Sequence, residues 1–510
     1  MNQSIFTLTI ATHFFKITKY NDRIRQILFE FVRDFVKIDQ NKGPRDAPPE
    51  MTVFCAATKN RSEFRFHINS LPDFKKLLER HGVPESVYTT QLMDLNISDS
   101  VDLVIKPHWV FRDDQLPILS YLEPSTPRSK FVGIQTGKGK TVTALKGAVT
   151  FGKRLLIIVR PMFMGKWAKD IKEILEIDIK KETMAIQGSA HLKAFIELAK
   201  TEGGLDNTKV IVMSNKTFQM WIKLYEEFGE ETKEMGYGCT PDELCNIANI
   251  GMRLIDEVHM DFHLNFKIDL YTNVEQSISL SATLLNNDPF IERMYRLAYP
   301  LVARYQGGVW DRYALTYGVA YHLEDNRKVR TSEFGQSTYS HIAFEKSILK
   351  NPHFKDSYCK LIKEILDYGY IKGKVDGQRA VVFAASKDMC SVITGYLSKA
   401  YPTLTVNRYV EGDPYTNYLD SDIRVTTVLS GGTAHDVKNL TCAVLTIALK
   451  SIQANIQVLG RLRKIPDVNV KFFFLSCLDV PKHLGYHRDK EQIMREKAAT
   501  YTLIPYNRRV

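Results

Sequence analysis

What most restricts the fold open to this chain is where its short apolar runs stop. Continuous apolar stretches recur at 154–159, 209–213, 252–255 and 277–280, with helically spaced segments between them. Each run closes on a polar cluster: Arg160-Pro161, Ser214-Asn215-Lys216-Thr217, Asp256-Glu257-Val258-His259 and Ser281-Ala282-Thr283. Apolar strands alternating with helices build a parallel sheet buried on both faces. Ligands of such sheets sit beyond the carboxyl ends of the strands, which is where all four clusters fall. The same rhythm returns at 379–385, 404–409, 423–429, 441–447 and 468–475, with helices predicted over 390–401, 452–459 and 488–500. The pattern predicts an α/β protein with two parallel-sheet units in tandem.

Residues 1–105 lack this rhythm and read as a small, independent α/β domain. Strands are predicted over 4–10, 51–56 and 63–68. Helical spacing of Ile24, Ile27, Leu28, Phe31 and Phe35 predicts a helix over 22–38, and another covers 71–81. Such a domain either binds nucleic acid or serves only as a packing module. Residues 284–378 are less regular and read as a hinge and the start of the second unit. The expected division is 1–105 accessory, 106–295 nucleotide-binding and 296–510 C-terminal.

At 510 residues the chain has room for about three domains. No apolar run is long enough to span a bilayer, and the N-terminus lacks the basic start and cleavage site of a signal peptide. The expectation is a cytoplasmic protein with no membrane partner. The seven cysteines are scattered and never spaced as metal pairs, which suits reduced thiols. A net charge of +11 favours a polyanionic partner, nucleic acid first.

The chemistry begins at 131–141, Phe-Val-Gly-Ile-Gln-Thr-Gly-Lys-Gly-Lys-Thr. A glycine-rich turn at a helix N-terminus aims free backbone N–H groups at one place and adds the positive end of the helix dipole. Thr136, Gly137, Lys138 and Gly139 form the cradle, Lys140 reaches the β- and γ-phosphates, and Thr141 holds Mg²⁺. Ile134 stands where the strict pattern has its first glycine. Asp256 at a strand end suits Mg²⁺, directly or through water, and Glu257 suits orienting and deprotonating the attacking water. Upstream, Gln115 offers an amide that matches the N6/N7 edge of adenine, and Arg112 stacks on the base or holds a phosphate.

This set of motifs, over about 109–488, resembles superfamily 2 helicases. The resemblance rests on Arg112 and Gln115; Gly137, Gly139, Lys140 and Thr141; Arg160-Pro161; Ser214 and Thr217; Asp256-Glu257-Val258-His259; Ser281-Ala282-Thr283; 383–386; Thr426 or Thr427 with Gly432 and Asp436; and Gln457, Gly460 and Arg461. It implies two RecA-like domains sharing one ATP and Mg²⁺. Lys140, Asp256, Glu257 and Gln457 are then catalytic, with Arg461 as the finger on the γ-phosphate. Gly432, Asp436 and Arg463 also line the nucleotide. The second arginine of the last motif is replaced by Arg463 or Lys464. Pro161, Ser214, Thr217, Ser386 and Thr426 would contact DNA phosphates. The short core and small N-terminal domain look like the phage UvsW-type helicases. A monomeric, DNA-dependent ATP hydrolase on forked or four-way DNA is therefore expected, in recombination, repair and replication. If phage-encoded, it would work in the host cytoplasm. An RNA helicase on the same scaffold remains the alternative.

Overall fold

Two all-parallel sheets carry the sequence rhythm into space. The computed structural model describes residues 4–39, 50–95, 97–282, 284, 286, 288–305, 307, 310–333, 338–414, 416–431 and 437–510. In the six-stranded sheet the order is Thr183–Ile186, Val210–Ser214, Leu155–Val159, Met252–Ile255, Gln276–Ser281 and Ser129–Gly133. Every neighbouring pair is parallel. The strand entering the glycine-rich loop is thus separated from the Asp256-Glu257 strand by Gln276–Ser281.

Strand Leu155–Val159 shows why these runs are apolar throughout. Leu155, Ile157 and Val159 pack with Ala144, Leu145, Trp167 and Ile171 on one face. Leu156 and Ile158 pack on the other with Leu192, Phe195, Trp221 and Ile222. Side chains alternate across a strand, so a sheet covered on both faces buries both sets, and the polar residues it does hold, such as Arg253, need partners inside the protein. Each such side chain contributes about 1.5–3 kcal/mol on burial.

The seven-stranded sheet runs Val406–Tyr409, Ile423–Thr427, Arg379–Ala384, Leu440–Leu445, Lys471–Cys477, Leu315–His322 and Thr500–Arg509, again all parallel. The stretch expected to be irregular therefore contains Leu315–His322, a strand deep in this sheet. The last strand, Thr500–Arg509, was not expected either.

The N-terminal residues do not stand apart as an independent domain. Their sheet, Ala56–Ala57, Glu63–His67, Phe14–Thr18, Thr7–Ile10 and Thr89–Leu92, shares one apolar core with the outer face of the six-stranded sheet. Phe54 packs on Phe262 and Phe266 at 5.6 and 5.2 Å between ring centroids. Arg65 and Asp242 pair at 3.0 Å across the junction with side chains 0% and 3% exposed. Arg65 also lies 4.4 Å over the Tyr271 ring. Burial opposes the Asp242 charge, but Arg65 and then Lys16 hold its carboxyl well below the usual range.

The expected helix over 22–38 stops at Val32, and Val36–Asp39 pairs antiparallel with Glu50–Val53. The expected strand over 51–56 is split into Glu50–Val53 and Ala56–Ala57. Among the described residues no helix is long and apolar enough to cross a membrane.

Candidate functional site

The glycine-rich loop leads from Ser129–Gly133 into helix Lys140–Phe151. Gly137 and Gly139 take left-handed backbone, φ +87° and +86°, which side chains other than glycine adopt at a cost. A Cβ on Gly139 would fall 2.1 Å from Gln115 Nε2, and one on Gly137 would fall 2.9 Å from Arg463 Nη1. Both positions are therefore closed to any side chain, and the turn brings backbone to the N-terminus of the helix.

Lys140, at the first position of that helix, donates from Nζ to Glu257 Oε1 at 3.0 Å. Glu257 adopts φ +48°, a left-handed conformation that costs a non-glycine residue about 1–3 kcal/mol and concentrates at functional sites. Its Oε2 is buried without a hydrogen-bond partner. Burial alone would raise the Glu257 carboxyl; the Lys140 charge and, with a smaller effect, that of Arg461 bring it below the ordinary carboxylate range. Asp256 goes the other way, raised by burial and then by the adjacent Glu257 charge. Its Oδ2 accepts from Trp167 Nε1 at 3.0 Å and its Oδ1 from Glu257 N at 2.9 Å.

The second sheet closes the site. Gln457, on helix Ile452–Leu459, places Nε2 2.7 Å from His259 Nε2. Thr136 Oγ1 donates to Gly460 O at 3.1 Å. Arg463 lies against Gly137 and donates from Nη1 to its own Gly460 O at 2.8 Å. Arg461 acts on Glu257 through its charge. Lys140, Thr136, Gly137, Asp256, Glu257, Gln457, Arg461 and Arg463 are thus gathered from both sheets. Lys464 is exposed and stands 4.0 Å from the Asp311 carboxylate. Gly432, Asp436 and Thr283 lie outside the described residues.

An ATP and Mg²⁺ site is compatible with this arrangement. The loop puts glycine backbone at a helix N-terminus, and Glu257 Oε2 is buried without a hydrogen-bond partner. No cluster of three or more His, Cys, Asp or Glu able to hold a metal occurs among the described residues. A magnesium ion bound with polyphosphate needs only one or two carboxylates, and Asp256 with Thr141 supplies that much.

Other expected contacts are placed differently. Both ends of the Gln115 amide are engaged within the chain: Oε1 accepts from Arg112 N at 3.0 Å and Nε2 donates to Lys138 O at 3.2 Å. Gln115, buried, braces the loop rather than facing outward. Arg112 donates to Asp114 at 2.9 Å. Ser214, Thr217 and Thr426 are buried, and Thr217 Oγ1 accepts from Gly188 N at 2.8 Å. Ser386 donates both N–H and hydroxyl to Glu345 Oε2, at 2.8 and 2.6 Å. The Thr217 and Ser386 hydroxyls are thus engaged within the chain, whereas Ser214 Oγ is buried without a hydrogen-bond partner. Pro161 begins a short 3₁₀ turn, and Arg160 before it pairs with Asp261 Oδ2 through Nε and Nη2 at 2.8 and 2.7 Å.

Trp167, Gln135 and Asp311 join the site without having been singled out. Nothing local in the sequence marks an indole whose partner lies far along the chain, or an amide bonded to a distant backbone. No family model matches the chain, and no curated protein matches it.

Proposed function

We propose that the chain is an ATP-driven nucleic-acid translocase of the helicase type, built on two RecA-like domains and working on forked or four-way DNA. The observation that carries this reading is the convergence of Lys140 and Glu257 from one sheet with Gln457, Arg461 and Arg463 from the other. A site divided in this way is made or broken by relative motion of the two sheets, which is what a motor requires.

The residues then divide the work. Gly137 and Gly139 offer backbone donors to phosphate. Lys140 leaves Glu257 for the β- and γ-phosphates, so the Glu257 carboxylate loses its strongest cationic partner. Burial then governs it, its proton affinity rises, and it becomes a better base for water just when substrate is seated. Arg461 stabilises charge on the transferring phosphoryl group. Mg²⁺, held by Thr141 and Asp256, would neutralise part of the phosphate charge. The net positive charge favours a phosphate backbone as the track, gripped without sequence reading. The UvsW-type resemblance in the sequence supports the choice of branched DNA.

The test is ATP hydrolysis by the full chain with linear, forked and four-way DNA and with single-stranded RNA. The reading expects strongest stimulation by branched DNA. Preferential stimulation by RNA would replace DNA with RNA as the track. No hydrolysis with any nucleic acid would remove the motor reading.

A further inference from the structure

The connection between the two sheets is fastened to the phosphate loop at one residue. Gln135 Nε2 donates to the Asp311 carbonyl at 3.2 Å, and Gln135 Oε1 accepts from Asp311 N at 2.9 Å. A planar amide that bonds both backbone groups of one residue fixes its place and direction. Gln135 is buried, so this is an interior clamp. The connection is tied again upstream, where Tyr305 N donates to Phe131 O at 2.9 Å and Arg304 bridges Phe131 in parallel register. The connection thus runs along the strand that enters the loop.

Held this way, Asp311 puts its carboxylate 3.5 Å from Lys138 Nζ and 4.0 Å from Lys464 Nζ. Asp114 stands 3.5 Å from the same Lys138 Nζ. Lys138 belongs to the loop and Lys464 to the second sheet's last motif, so one carboxylate on the connection engages a cation from each side.

We propose that Gln135 and Asp311 are positioning residues of the phosphate loop. Gln135 holds the connection so that the Asp311 carboxylate occupies Lys138 and Lys464 until a polyphosphate displaces it. The proposal rests on the nucleotide reading of the loop. Phosphate and carboxylate carry the same sign and compete for the same ammonium groups. Phosphate that takes Lys138 releases the Asp311 carboxylate, and the connection then keeps its backbone bonds to Gln135 but loses its charge contact with the loop. By linkage, whatever loosens the connection also favours the phosphate. An ion pair this exposed contributes up to about a fivefold change in an equilibrium constant.

The experiment is equilibrium titration of the full chain with Mg·ADP for the Asp311→Asn, Gln135→Leu, double and Lys140→Ala variants. Asp311→Asn keeps both backbone bonds to Gln135 and removes only the charge. It should bind Mg·ADP about two- to fivefold more tightly, and Gln135→Leu should shift binding in the same direction. The double variant should bind no more tightly than the stronger single one, because both act through one contact. A merely structural role would weaken binding. Unchanged or weaker binding by Asp311→Asn, with binding lost in Lys140→Ala, overturns this proposal alone. Full binding by Lys140→Ala overturns the nucleotide reading beneath it.

Discussion

Gln457 Nε2 meets His259 Nε2 at 2.7 Å, and His259 Nδ1 meets Ser281 Oγ at 2.7 Å. An amide nitrogen only donates, so His259 Nε2 accepts and the ring proton sits on Nδ1, donated toward Ser281. Burial lowers His259 to about 4 against the pull of Glu257, which keeps the ring neutral and this arrangement intact. One imidazole therefore joins a strand end of the first sheet to a helix of the second. Gln457→Leu removes the link without touching the phosphate loop. Mg·ADP affinity should stay within about twofold, while DNA-stimulated hydrolysis falls about tenfold, the scale of one lost hydrogen bond. Steady-state hydrolysis and nucleotide titration read the two effects separately.

Lys140 and Glu257 form a largely buried pair with side chains 10% and 17% exposed. Lys140→Ala should abolish hydrolysis and also strand the Glu257 charge, lowering stability by about 1–3 kcal/mol after allowance for partial solvation. Adding Glu257→Gln removes that charge and should recover part of the loss. Chemical denaturation of the single and double variants checks the recovery.

Arg461 and Arg463 should fail in different ways. Arg461→Ala should bind nucleotide normally and hydrolyse it about a thousandfold more slowly. Arg463, lying against Gly137, should affect binding first, with Arg463→Ala raising KM more than it lowers kcat. A matched pair of kinetic profiles distinguishes them.

The junction between the N-terminal sheet and the six-stranded sheet should be sensitive to acid. His67 is fully enclosed, and burial lowers it to about 4 despite the nearby Asp269. His13 is lowered by burial and then by Arg253, and bonds Ser277 Oγ at 3.0 Å. A base with a depressed folded pKa binds its proton more readily when unfolded. The stability held by neutral His67 is therefore full above the unfolded value of 6.5 and is lost as pH falls toward about 4. Its share amounts to about 3 kcal/mol at about 1.4 kcal/mol per unit. Thermal melts between pH 7.5 and 4.5 should show the fall, and His67→Gln should flatten it.

Sequence alone located the elements whose partners are close and whose faces are uniform. Met252–Ile255 and Ile452–Leu459 lie where the apolar spacing put them. Arg253 interrupts the apolar run of that strand, and its partner Asp269 lies on helix Phe262–Asp269, which the spacing does not mark. Leu315–His322 escaped because Gly318 interrupts its β-formers. The structure gives the reason for that glycine: a Cβ there would fall 2.8 Å from both His487 and Tyr501. Thr500–Arg509 escaped because an edge strand with one open side carries polar residues. At the site, the loop and the acidic pair were legible because they are short motifs. The Gln135–Asp311 clamp was not, since it joins residues far apart that have no shared pattern.

The Arg65–Asp242 pair beneath the N-terminal sheet also sets which parts of the molecule move together. A buried charge pair cannot slide without exposing both charges to each other's absence. On the proposed reading, residues 4–39 and 50–95 should therefore move with the six-stranded sheet, and the seven-stranded sheet should move relative to both. A probe on Glu79 and another on Lys146 should keep a constant separation through the hydrolytic cycle, while a probe on Lys399 changes its distance from both.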